Sequence, residues 1–107
     1  MEIFDKNVTL NELSLKQALD DIRTPIEWEN FVYKVYCGEC LITITGNDSR
    51  KDGYSMLHAN IKNIHTNDEV DTHYSVSDRL YYDRPLIDIL NLKDWVEKIK
   101  GTAGLLQ

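Results

Sequence analysis

The tetrapeptide Cys37-Gly38-Glu39-Cys40 lies between two runs of alternating side chains, and it constrains the fold more than any other stretch. If Gly38 and Glu39 are the loop of a β-hairpin, Cys37 faces Cys40, Val35 faces Ile42, Lys34 faces Thr43 and Tyr33 faces Ile44. One face then collects Phe31, Tyr33, Val35, Cys37, Cys40, Ile42 and Ile44, and the other Val32, Lys34, Tyr36, Leu41, Thr43 and Thr45. A slip of one residue would mix the two sets, because strand side chains alternate with a period of two. Glycine at the first loop position suits a type II′ turn, which needs a positive φ there.

The rest of the chain is read outward from this hairpin. Glu2 to Val8 reads as a short edge strand or an irregular arm. Ser14 with Gln17 forms a capping box, and Leu15, Ala18, Leu19 and Ile22 recur at spacings of three and four, so a helix is expected over Ser14 to Arg23, with an added turn from Thr9 as the alternative. Thr24-Pro25 ends it, and Thr24-Pro25-Ile26-Glu27 caps a second, short helix that places Trp28 under the sheet. Gly46 to Gly53 is a run of turn formers and is expected to be an exposed loop. A third strand, Tyr54 to His65, alternates Leu57, Ala59 and Ile61 with Met56, His58 and Asn60; Ile64 breaks the phase, which a bulge near Lys62 would repair. Thr66 to Asp71 reads as a polar connection, followed by a fourth strand from Thr72 to Tyr82 that Pro85 stops.

Leu86 to Leu90 is expected to form one helical turn. Asn91 then caps a helix with the stripe Leu92, Trp95, Val96 and Ile99, which Gly101 closes; Thr102 to Gln107 is expected to fray. The whole implies a single α+β domain over residues 1–107: an antiparallel sheet of about four strands, with helices packed on one face.

Charge narrows the function. Eighteen acidic residues against twelve lysines and arginines give a net charge of -6, which opposes nucleic-acid binding through phosphate contacts and favours a basic protein partner. No window approaches the apolar length of a membrane span, and the N-terminal segment lacks signal-peptide character, so no membrane association and a cytoplasmic location are expected. Two cysteines would ordinarily stay reduced there.

No stretch announces a chemistry. A redox Cys-x-x-Cys needs a helix after its second cysteine, whereas Leu41-Ile42-Thr43-Ile44-Thr45 reads as strand. Cys37 and Cys40 with His58, His65 and His73 contain the ligand types of a zinc site, but without a second spaced pair; the ordinary alternative is two small apolar residues flanking a turn. There is no nucleophile elbow, oxyanion loop, dinucleotide fingerprint or P-loop. The carboxylate pairs Asp20-Asp21 and Glu27 with Glu29 read as solvated helix ends. The expectation is therefore a non-enzyme without catalytic residues, cofactor or metal.

What remains is a surface. Asp68, Glu69 and Asp71 crowd one segment, and Asp78 and Asp83 bracket Tyr81 and Tyr82. These seven are the expected partner-binding residues: carboxylates steer and meet Lys or Arg, and aromatic rings supply contact area. A solvated acidic face that merely keeps the chain in solution is the plainer alternative. In size, charge, α+β make-up and lack of a catalytic constellation, with Asp68-Glu69-x-Asp71 and Tyr81-Tyr82-Asp83 as a kind of surface, the chain resembles the small acidic immunity proteins of bacterial toxin/immunity systems of the contact-dependent growth inhibition type. That resemblance implies binding in the cytosol to a basic toxin, often a nuclease, by blocking its active site or substrate cleft. The alternatives are an acidic regulatory or nucleic-acid-mimic interaction module and a small zinc-binding module using Cys37 and Cys40.

Overall fold

The computed structural model describes residues 10–22, 25–49, 54–76 and 89–107. In chain order these form α1 (Glu12–Asp20), α2 (Pro25–Glu29), β1 (Val32–Cys37), β2 (Cys40–Ser49), β3 (Tyr54–Asn63), β4 (Glu69–Val76) and α3 (Ile89–Leu106). The strands make one antiparallel sheet in the order β1-β2-β3-β4. This is the expected α+β arrangement. The expected arm over Glu2 to Val8 lies outside the described residues, as do Arg23, Thr24, Pro85 and the fourth strand's expected extension to Tyr82.

The hairpin has the register that its alternation dictates, from Cys37 opposite Cys40 to Val32 opposite Thr45. Gly38 takes a φ of 61° and Glu39 does not follow it into positive φ, the pattern of a type II′ turn. Val35, Cys40, Ile42 and Ile44 are buried, and Phe31, Tyr33 and Cys37 pack partly buried beside them. Leu57, Ala59 and Ile61 of β3 and Tyr74 of β4 continue this inward set.

All three helices lie on that side. α2 packs on β2, α3 lies across β3 and β4, and α1 packs on α3. Leu10, Leu15, Leu19, Trp28, Leu92, Val96, Ile99 and Ala103 thereby close the core. Trp95 stacks at a tilt on Tyr74, and its Nε1 donates to Thr72 Oγ1 at 3.3 Å. Trp28 Nε1 is buried without an acceptor among the described residues.

Several boundaries differ from the sequence expectations, each for a physical reason. α1 starts at Glu12, because Asn11 rather than Ser14 is its cap: Asn11 Oδ1 accepts from the Ser14 N–H at 2.8 Å. The segment Gly46 to Ser49 is strand, not loop, and only residues 50–53 of the expected loop lie outside the described residues. Gly46 is there for close approach rather than for turning, since a Cβ would sit 2.1 Å from the Trp28 carbonyl oxygen.

β3 carries no bulge. Its pairing with β2 and β4 is continuous, Asn63 takes the inward slot, and Ile64 is left in the turn, 41% exposed. Asn63 earns that slot by its hydrogen bonds: Nδ2 donates to the Leu106 carbonyl at 2.9 Å, and Oδ1 accepts from the His65 and Thr66 N–H groups. With this turn closed early, and Asn67 absorbing a φ of 66°, β4 begins at Glu69, three residues before the expected Thr72.

α3 is one helix of 18 residues. Ile89 and Leu90 of the expected separate turn belong to it, residues 86–88 lie outside the described residues, and Asn91 is interior rather than a cap. Nor does the helix stop at Gly101 or fray after it. Glycine costs roughly 1 kcal/mol against alanine in a helix, but Ala103 and Leu106 extend the apolar stripe onto the hairpin, and packing outweighs that penalty. Gln107 locks the end, donating from Nε2 to the Cys37 carbonyl at 3.4 Å and accepting at Oε1 from the Glu39 N–H at 3.4 Å. Among the described residues no helix is long and apolar enough to cross a membrane.

Candidate functional site

Because strand residues alternate and the helices occupy one face, the opposite face of the sheet presents Lys34 and Tyr36 of β1, Thr43 and Thr45 of β2, His58, Asn60 and Lys62 of β3, and Glu69, Asp71 and His73 of β4. The register sets Lys62 against Glu69, Asn60 against Asp71 and His58 against His73. Across the β3–β4 pair the side chains join into one polar chain. Asn60 Nδ2 donates to Glu69 Oε2 at 3.3 Å and to Asp71 Oδ1 at 3.0 Å, and His58 Nε2 lies 2.9 Å from the same Asp71 oxygen. The His58 and His73 rings sit with centroids 4.9 Å apart, tilted by 40°.

This environment holds the Asp71 carboxyl below the usual carboxylate range. The Asn60 hydrogen bond is the largest cause; partial desolvation, next in size, opposes it, and the His58 hydrogen bond and the charges of His58 and His73 add to the lowering. Asp71 is therefore an ionised acceptor wherever the chain is folded near neutral pH.

Of the expected partner-binding residues, the structure brings Glu69 and Asp71 together on this face, bridged by Asn60. Asp68 stands apart in the preceding turn, where its N–H donates to Thr66 Oγ1, its carboxylate accepts from that hydroxyl and its carbonyl accepts from the Asn63 N–H. Asp78, Tyr81, Tyr82 and Asp83 lie outside the described residues. Asn60 is expected only as an outward position of the third strand, and His58 and His73 as strand-surface residues or, with His65, Cys37 and Cys40, as the ligand types of a zinc site. Their signal was the outward alternation of β3, which becomes a site only once the β3–β4 register is known.

The cysteines belong to the other side. Cys37 and Cys40 are free thiols at the hairpin end, pointing toward α3, and Cys40 Sγ donates to the Ala103 carbonyl at 3.5 Å. Burial, then the neighbouring Cys37 and Glu39, push the Cys40 thiol up, which favours its neutral, unreactive form. His65 is at the tip, its Nε2 2.6 Å from Glu39 Oε2. The sheet thus divides the cysteines from His58 and His73, and among the described residues no group of three or more histidine, cysteine or acidic side chains is placed to hold a metal ion.

No family model matches the chain, and no curated protein or solved structure matches it significantly. The site therefore has to be read from its own geometry. A histidine hydrogen-bonded to an ionised carboxylate is two-thirds of a hydrolytic triad, yet here the side chains are 33% and 51% exposed on an open strand face. Such a pair is open to water on its outer side and lacks the desolvated setting in which a dyad becomes an effective base. An exposed, hydrogen-bonded array of this kind is suited to meeting another surface.

Proposed function

We propose that this chain is a non-enzymatic protein inhibitor, an immunity protein that binds a basic toxin, a nuclease above all, and blocks its active site or substrate cleft. The observation that carries the reading is the pair Glu69 and Asp71, displayed on the open face of a strand at the sheet's end and fixed there by Asn60. Preset carboxylates offer lysine or arginine an acceptor array that needs little ordering on binding, and the net charge of -6 steers a cationic partner toward the chain. Asp68 extends the anionic edge into the turn, and the Tyr81-Tyr82-Asp83 segment supplies aromatic contact area in the same reading. The partner is a protein and the setting cytoplasmic; neither nucleic acid nor membrane is bound.

The experiment looks for a larger reading frame with a basic C-terminal domain immediately upstream of the gene, expresses that domain and follows association by stopped flow; a neighbourhood without such a frame counts against the reading. Reversing Asp68, Glu69 and Asp71 to lysine together should slow association by about tenfold or more at low salt, and much less at high salt. An unchanged on-rate removes these residues from the interface. A pull-down that returns no protein, or turnover of a substrate by the chain alone, overturns the reading.

A further inference from the structure

The open face carries a second feature, which shares Asp71 with the carboxylates offered to a partner. His58 and His73 are directly opposed on neighbouring strands, half-buried and exposed respectively, and their rings are neither paired edge to edge across a gap nor stacked flat. An ionised carboxylate only accepts hydrogen bonds, so the contact between His58 Nε2 and Asp71 fixes the proton on Nε2. In the neutral ring that leaves the Nδ1 lone pair unoccupied. A carboxylate holding one ring nitrogen so that the other can coordinate is the arrangement that orients metal-ligating histidines.

The spacing agrees. Two imidazoles bound to one ion at about 2.0–2.1 Å, with a tetrahedral angle between them, place their ring centroids roughly 5 Å apart; His58 and His73 stand at 4.9 Å. We propose that His58 and His73 form a two-histidine chelate for a borderline transition-metal dication of the zinc or nickel class, with Asp71 as the residue that positions His58. Two protein donors leave the remaining coordination positions to water, so this is an exchangeable surface site and not a closed structural centre, which would need four protein ligands. Imidazole nitrogens select such ions over magnesium and calcium, which prefer all-oxygen ligands. The inference does not depend on the toxin-inhibitor reading: metal binding is measured without a partner, and partner binding without metal.

The test is calorimetric titration of the full, tag-free chain with zinc chloride and nickel chloride, together with nitrogen-detected spectra of the histidine side chains. One ion should bind per chain and shift the resonances of His58 and His73 but not of His65. His58→Gln and His73→Gln should each lower the affinity at least tenfold, and Asp71→Asn about tenfold, the usual size of an orienting-carboxylate effect. His65→Gln should leave it unchanged. No binding at millimolar zinc, binding that survives in both glutamine variants, or a thiolate-to-metal absorption band with cobalt that points to Cys37 and Cys40 would each overturn it. Since none of the four substituted side chains is part of the buried core, circular dichroism of each variant should match the parent.

Discussion

The two faces of the sheet are drawn from the same four strands, residue by alternate residue, and yet are held by different physics. On the covered face Ile42, Ile44, Leu57 and Ile61 meet the helices and are wholly removed from water. On the open face Asn60, His58, Glu69 and Asp71 hold one another by hydrogen bonds that water can also make. Burial of apolar area supplies folding free energy without needing a particular partner, whereas exposed polar contacts add little stability and much geometry. The covered face therefore sets the shape and the open face uses it. The sharpest way to break this contrast is to substitute neighbours that point opposite ways. Ile44→Ala should cost about 2–5 kcal/mol, and Thr45→Ala, the next residue, no more than about 0.5 kcal/mol. Urea denaturation measures both. Equal costs would mean that the second face is also packed, and the distinction would fail.

The covered face reaches further along the chain than Gly101 suggests, and this gives a prediction of opposite sign. A Cβ at Gly101 would meet nothing within 4 Å, and the residue lies exposed inside a continuous helix. Gly101→Ala should therefore stabilise the chain by roughly 0.5–1 kcal/mol, read as a rise in thermal midpoint. Were Gly101 instead the left-handed residue closing a helix, alanine would be strained and the midpoint would fall. The sign alone decides whether Ala103 and Leu106 dock as described.

What could be read from sequence follows the same division. The hairpin register was legible because one face of Phe31 to Thr45 is apolar and the other is not, and Gly38 marks the only loop that keeps them apart. The strand over Gly46 to Ser49 was not, because glycine, asparagine, aspartate and serine are turn formers by local preference, and nothing local shows that the Trp28 carbonyl needs Gly46 beneath it. Helix α3 runs past both of its local end signals for a related reason: Asn91 and Gly101 are good punctuation in isolation, but packing across the sheet decides where a helix stops. At the candidate site, Glu69 and Asp71 were legible as acidic residues. Their bridge through Asn60 and the opposition of His58 to His73 were not, since both depend on a turn whose length is set by the Asn63 side chain and the positive φ of Asn67.

The smallest expected effect tests the open face by itself. Asp71 is more acidic in the folded chain than an unfolded aspartate, whose value is about 3.9. Below the folded value both states are protonated and the difference contributes nothing. As pH rises through the window between the folded value and about 3.9, the unfolded state binds more protons than the folded one, so stability increases and then remains constant. Acidification through the same window removes that contribution. A carbon-detected titration of the Asp71 carboxyl should give a midpoint below the ordinary aspartate value, and Asn60→Ala, which deletes the largest cause, should raise it. His73→Ala should move it less, because His73 acts through charge alone. A midpoint that ignores Asn60 would show that the polar chain across β3 and β4 does not persist in solution, and the preset carboxylate pair would go with it.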